Sequence, residues 1–430
     1  MTLRSSISII SGAISACMLV ACVFHGSGTL PQQSGAALSA NHQRGAKDSP
    51  SRGTTSSQYR ILHTFSGGSD DGGNPYASLI DVNGTLYGTT WAGGSGQCRD
   101  SGTVIGCGTV FSISTTGTEK VLYNFSGGSD GAAPYAGLID VGGRLYGTTS
   151  AGGSSGAGTV FRISTAGKEK VLHSFAGSDG NAPFAGLIDV SGKLYGTTYY
   201  GGADGVGTVF SITTGGKEKV LYSFKGYPSD GGNPYAGLLD VNGSLYGTTW
   251  TSGSGQCKSS SVVVGCGTVF TISTTGNEKV LHSFNGSDGD KPYAGLIDVG
   301  SKLFGTTAYG GSDYSGTVFR ISASGKEKVL YSFGDNDSAE GGYPFATLID
   351  VNGILYCTTE GGGTTGGGGS SEYGTVFSIS TTGNEKVLHS FGGDPDGTHP
   401  YAGLIDVNGT LYGTTVYGGH GYGIVFAITP

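Results

Sequence analysis

Charge is scarce in this sequence. Only 23 of its 430 residues are Lys or Arg against 31 Asp or Glu, a net −8, and the lysines are dispersed, so the basic stripe that nucleic acid demands is missing. Helical periodicity is missing past the N-terminus, which excludes helical bundles and coiled coils. No glycine-rich turn opens a helix, so no phosphate-cradling loop is expected. No apolar run is long enough for a comfortable membrane span: the longest, "ISIISGAISACMLVAC" from Ile7 to Cys22, has the dimensions of a signal-peptide core. Tryptophan and methionine are down to two residues each, while glycine is abundant at 85.

Those glycines are punctuation in a repeat. The tag "LYGTT" or a near copy places its aromatic at Tyr87, Tyr146, Tyr195, Tyr246, Phe304, Tyr356 and Tyr412, with spacings of 59, 49, 51, 58, 52 and 56 residues. A chain of this length would otherwise suggest two or three domains, but seven units of one kind make a single array. Within a unit, "YAGLIDV", "RLYGTT", "GTVFRIS" and "EKVLHSF" each read as a strand, rich in β-branched and aromatic residues. The first two are joined by Asn83-Gly84, Gly142-Gly143, Ser191-Gly192, Asn242-Gly243, Asn352-Gly353 or Asn408-Gly409, the chemistry that a two-residue hairpin with positive φ requires. The last two are joined by a "TTG"-like turn. Each unit is thus a four-stranded antiparallel sheet with two partly apolar faces.

A lone sheet of that kind leaves both faces and both edges open, and a closed ring of blades solves both problems. The chain ends agree. "YGIVFAITP" stops after a third strand, while "QYRILHTF", Gln58 to Phe65, is a fourth strand that precedes any first one. The expected fold is therefore all-β, a seven-bladed β-propeller of four-stranded antiparallel blades, with blade seven made of 400–430 plus 58–66. A linear solenoid would need capping units with polar outer faces, and none is visible.

The expected domain order is a lipoprotein-type signal peptide over 1–22, a tether over 23–57 and the propeller over 58–430. Leu19-Val20-Ala21-Cys22 matches a lipobox, and Cys22 is the expected lipidation site; an ordinary secretory signal with a chance cysteine is the alternative. Residues 23–57 are poor in aromatics and rich in Ser and Gly, the composition of a disordered linker. Cys98 with Cys107 and Cys257 with Cys266 occupy the same enlarged loop of blades one and four, and each pair is expected to close a disulfide in an oxidising compartment. Their spacing is unlike the short hooks of zinc sites, and no His pair accompanies them. Cys357, in place of the glycine of "LYGTT", reads as a small core residue.

The repeat, as carried by "PYAGLIDVNGTLYGTT", "GTVFSISTTG" and "EKVLYNF", resembles the glycine-rich tandem repeats of the choice-of-anchor GloVer-containing proteins. The resemblance runs from Tyr59 to Pro430. It implies an exported bacterial surface protein, with the lipobox as this member's anchor, at the outer membrane or cell surface or else secreted. The family carries no assigned activity or catalytic residues, so no residue role is transferred.

Candidate site residues follow from the loops. Connections from strand four to the next strand one, and from strand two to strand three, emerge on one face, and the tight hairpins on the other. The first set places Asp130, Asp179, Asp230, Asp288 and Asp396 around the ring, with Asp70 and Asp71 at the seventh position. The second set begins with Trp91, Tyr199, Tyr200, Trp250, Tyr309 and Tyr417. An aromatic platform beside carboxylate acceptors suits a sugar, and repeated sites would add avidity. The bland alternative is that Asp-Gly shapes turns and the aromatics cover strand ends. One carboxylate per loop is too few for calcium, and no cofactor or metal is expected.

Blade six breaks the pattern with Glu340, Glu360 and Glu372, a carboxylate set compatible with glycoside chemistry or with drift in one copy. His63, His173, His282 and His389 alternate with Tyr123, Tyr222 and Tyr331 at one fourth-strand position and read as packing residues. The aspartates before the hairpins, Asp81 to Asp406, read as turn braces. The expectation is a monomeric binding or scaffold module. A glycan is the first ligand and a surface protein the second, without nucleic acid, and with membrane contact through the lipid alone.

Overall fold

The computed structural model describes residues 58–334, 339–363 and 373–430. The leader with Cys22, the segment 23–57 and Glu372 lie outside the described residues. Within them, all regular structure is strand.

Blade one runs through Ile80–Val82, Thr85–Thr90, Thr109–Ser114 and Glu119–Asn124, each antiparallel to the one before. The same order recurs around the ring to give seven four-stranded sheets. In the last of them Gln58–Thr64 pairs with Ile424–Thr429, from Gln58 opposite Thr429 to Thr64 opposite Ile424. The two chain ends share one blade, and the protein is a seven-bladed β-propeller.

The hairpin residues take the backbone that their chemistry allows: Asn83 has φ 54° and Gly84 φ 82°, the paired positive values of a type I′ turn. Asp81 braces this turn by accepting from the Gly84 N–H at 2.9 Å, and Asp240, Asp350 and Asp406 repeat the contact. First strands are shorter than the sequence suggests, three residues at Ile80–Val82 and two at Ile139–Asp140. They lie nearest the axis, where first strands of neighbouring blades touch one another. The Tyr-Ala-Gly segment ahead of each has left the ladder to bond to the preceding blade.

Blades are held together by phenylalanine. The residue that ends each fourth strand is fully buried and meets a third-strand Phe of the following blade edge to face: Phe65 with Phe111 at 5.2 Å, Phe125 with Phe161 at 5.2 Å, and so on to Phe391 with Phe426 at 5.3 Å. Burying such a ring is worth about 2–3 kcal/mol before its edge-to-face contact is counted. A bulge in each fourth strand, between the partners of Val110 and Phe111 for example, turns Leu122 out of register. The Leu122 carbonyl then presses on Gly167 of the next blade, where a Cβ would come within 2.4 Å of it and φ is 85°. Only glycine meets both demands.

Cys98–Cys107 and Cys257–Cys266 are disulfides, with Cα separations of 5.0 and 5.1 Å. Each loop also carries a small ribbon, Arg99–Asp100 against Thr103–Val104 and Lys258–Ser259 against Val262–Val263, pairing that the sequence did not suggest. Cys357 is a buried free thiol inside the seam of Leu348 and Phe377, and burial pushes its pKa up to about 12, so it is inert core.

Candidate binding site at the axial mouth

Seven hydrogen bonds fix the centre of the ring. The first threonine of each "GTT" donates to the alanine carbonyl of the next blade's Tyr-Ala segment: Thr89 to Ala136 at 2.9 Å, Thr148 to Ala185 at 3.1 Å, and around to Thr414, which reaches Ala77 at 3.3 Å and closes the circle. The aromatic ahead of each alanine is thereby held at the axis. Tyr76, Tyr135, Phe184, Tyr235, Tyr293, Phe345 and Tyr401 form one continuous collar. Neighbouring rings are in contact throughout, Tyr76 on Tyr135 at 4.3 Å, Phe184 on Tyr235 at 5.0 Å, Tyr235 on Tyr293 at 3.9 Å and Tyr401 back on Tyr76 at 5.6 Å. Burial raises the hydroxyl pKa of Tyr135 and Tyr235 far above the ordinary value, so they remain protonated donors.

By topology the collar lies at the end of the axis that carries the long loops, because each aromatic follows a strand-four loop and precedes a first strand. The cavity at the collar is about 140 Å³, below the roughly 300 Å³ at which ligand pockets begin. A ligand of any size would therefore lie over the rings.

Around the collar stands a second ring made from paired residues. The residue before each loop proline has a left-handed backbone, Asn74, Ala133, Ala182, Asn233, Lys291, Tyr343 and His399, with φ between 52° and 58°. Its carbonyl accepts from the residue that follows "GTT", respectively Trp91, Ser150, Tyr199, Trp250, Ala308, Glu360 and Val416. The backbone is the same in every blade while the chemistry is not. Blades one, three and four contribute large aromatics. Trp91 packs on Tyr76 at 6.2 Å, Tyr199 on Phe184 at 5.5 Å, and Trp250 on both Tyr199 at 5.9 Å and Tyr293 at 6.3 Å.

Blades five to seven contribute ionisable groups instead. The Lys291 ammonium sits over Trp250 and Tyr309 at 5.4 and 4.8 Å. Glu360 accepts from the Tyr401 hydroxyl at 3.2 Å and lies 3.7 Å from His399 Nε2. The mouth is thus polarised, with an aromatic arc facing a Lys-Glu-His arc. The indole N–H of Trp250 is buried without an acceptor.

Of the residues singled out in the sequence, Trp91, Tyr199, Trp250 and Tyr309 meet at this mouth. Tyr200 meets Tyr199 edge to face at 4.5 Å and is 39% exposed, and Tyr417 lies against His399 at 5.6 Å and is 43% exposed. The loop aspartates are engaged locally. Asp130 accepts from Tyr123 at 3.0 Å and the Ser126 N–H at 2.8 Å, Asp179 from His173 at 2.9 Å and the Ala176 N–H at 2.8 Å. Asp230 takes Tyr222 and Lys225 N–H, Asp288 takes His282 and Asn285 N–H, and Asp396 takes His389 and Gly392 N–H. At the seventh position it is Asp71, not the exposed Asp70, that meets His63 at 3.3 Å. Glu340 plays the same part for Tyr331.

The collar itself, and Lys291 and His399 beside it, escaped the sequence reading. The available signal was the invariable Pro-Tyr/Phe-Ala that ends every strand-four loop.

The Gloeobacter/Verrucomicrobia repeat family matches residues 33–261 and 259–426. No curated protein matches the chain. Among solved structures, a candidate 6-phosphogluconolactonase from Bacteroides uniformis is 15% identical with a TM-score of 0.45, over 74% of this chain and 87% of its own. A gluconolactonase from Xanthomonas campestris is 12% identical with a TM-score of 0.39, over 63% and 78%. A Mycobacterium tuberculosis puromycin-hydrolyzing peptidase is 10% identical with a TM-score of 0.46, over 79% of this chain and 49% of its own. At these scores none of the three bears on function.

Proposed function

The chain belongs to the Gloeobacter/Verrucomicrobia repeat family, and from that premise we propose that it is an exported binding module that takes a carbohydrate over its axial mouth. The observation that carries this reading is the polarised mouth. Trp91 and Trp250, continuous with the collar, offer a stacking surface for the apolar face of a sugar ring, and Lys291 and Glu360 offer partners for its hydroxyls. The loop aspartates brace their own loops, which moves the weight of recognition from them to the mouth. Export through the N-terminal signal, with Cys22 as lipid anchor, is supported by the two disulfides, which suit an oxidising compartment.

Both tryptophans of the chain belong to this mouth, so tryptophan emission reports on it directly. The full chain titrated with cello-, chito-, malto- and xylo-hexaose should show a saturable emission change with at least one of them. An emission that none of the four alters at millimolar concentration would count against a carbohydrate at this place.

A protein partner is the second reading, and one observation favours it. Eight of the ten exposed large apolar side chains among the described residues, Val104, Tyr200, Tyr227, Val262, Tyr314, Tyr373, Tyr417 and Tyr422, lie in loops of the same face. Tyrosine-rich loops on a rigid scaffold are a common way to bind protein. Pull-down from surface extracts with a Tyr200→Ser/Tyr417→Ser variant alongside separates this reading from the first.

A further inference from the structure

We propose that three of the seams between blades are binding sites for a divalent transition-metal ion of the zinc class, each built from a histidine, an aspartate and a glutamate. In the seam that joins blades seven and one, His63 lies near the end of a fourth strand, Asp71 in the loop that leaves it, and Glu119 at the start of the next blade's fourth strand. One ligand atom from each lies within 4.8 Å of the other two. His173, Asp179 and Glu218 repeat the arrangement between blades two and three, and His282, Asp288 and Glu327 between blades four and five.

The geometry suits tetrahedral coordination. Zinc bonds of about 2.0 Å place neighbouring ligand atoms about 3.3 Å apart, and the His to Asp separations are 3.3, 2.9 and 3.1 Å. The aspartate is oriented from behind. In the second seam the Ala176 N–H holds Asp179 Oδ1 at 2.8 Å and leaves Oδ2 facing His173, the outer support that metal carboxylates normally have. An independent observation concerns the third ligand: Oε1 of Glu119, Glu218 and Glu327 is buried and has no hydrogen-bond donor. A carboxylate oxygen shut away from water needs a cation or a proton. Two carboxylates cancel a divalent charge, a neutral imidazole disfavours calcium and magnesium, and three protein ligands leave a fourth position for water.

The remaining seams are natural controls. Three of them carry Tyr123, Tyr222 or Tyr331 in the histidine position, and burial with the neighbouring carboxylates holds these phenols protonated, which makes them poor ligands for zinc beside an imidazole. Their glutamates have the same unmet oxygen but no imidazole beside it. The closing seam keeps His389 and Asp396, but Tyr59 stands where the glutamate would be and stacks on the imidazole at 3.8 Å. Cys257 and Cys266 near Asp290 are spent in a disulfide. The sequence expectation of no metal rested on local hooks, whereas each of these sites draws on three segments, the last a blade away.

The test is zinc stoichiometry on the full chain, stripped with a chelator, dialysed and titrated against a chromophoric zinc indicator. Three equivalents are expected, falling to two in Glu218→Gln and to none in the His63→Tyr/His173→Tyr/His282→Tyr variant. The triple variant should fold, because tyrosine fills this position in three native seams, and far-UV circular dichroism checks that it does. His389→Tyr should leave the count at three. Absence of zinc binding by the wild-type chain, or three equivalents retained by the folded triple variant, overturns the proposal.

Discussion

Replacing Glu169, Glu278 and Glu385 with glutamine should stabilise the propeller above neutral pH and leave it unchanged in acid. Each opens a fourth strand beside one of the three tyrosine seams, with Oε1 buried and unmet. Burial first, and then the carboxylate of Asp130, Asp230 or Glu340, pushes each carboxyl from an ordinary 4.5 up to about 7. A folded-state value above the unfolded one means that the folded chain keeps a proton the unfolded chain has already released. Stability is therefore whole below the ordinary value of 4.5, falls as pH rises toward about 7, and is level above that. The full difference would be about 3.4 kcal/mol per glutamate, but these side chains are only half-buried and solvent screening reduces it to about 1 kcal/mol each. The three seams are well separated, so the variant should gain about 3 kcal/mol at pH 8 and nothing at pH 4. Urea unfolding at both pH values, with chelator present, measures this. Equal gains at both, or no gain at pH 8, would refute the reasoning.

Gly167→Ala should destabilise by about 2–3 kcal/mol, since a left-handed alanine costs about 1–2 kcal/mol by itself and the Leu122 carbonyl blocks its methyl group. Gly156→Ala, with φ 74° and nothing within 4 Å of the new carbon, should lose only the backbone part; equal losses in thermal melts would show that the clash is relieved for free. Reduction of the two nine-residue disulfide loops should lower stability by about 2.5 kcal/mol each from loop-closure entropy, read as the shift of the urea midpoint with and without dithiothreitol. An unchanged midpoint would mean that the small ribbons already fix these loops.

Ring closure, the hairpins and the disulfides were legible because each is written in local chemistry: an orphan fourth strand at one end and a blade short of its fourth strand at the other, Asn-Gly pairs, two cysteines in one enlarged loop. The first strand was read too long because "YAGLIDV" alternates like a strand throughout, while its first half bonds across the seam through Thr89 and its six equivalents. The alternation of His and Tyr along the fourth strands was visible, but its cause was not. Both present a hydrogen-bond donor at the tip of a ring, at the height of the loop aspartate, so either can anchor it. Lys291 and His399 were hidden for a related reason. A left-handed residue before proline is marked by Asn74 and Asn233, which tolerate that backbone, but not by lysine or histidine, whose places are set by the surrounding ring. The collar needed seven distant segments to be seen at once.

The most direct test of the central claim is a glycan array probed with the full chain and with its Trp91→Ala/Trp250→Ala variant at equal density. The account predicts saturable binding to a defined group of glycans by the wild-type chain and its loss in a folded double variant. A glycan bound equally by both would contradict it, as would a wild-type chain that binds none.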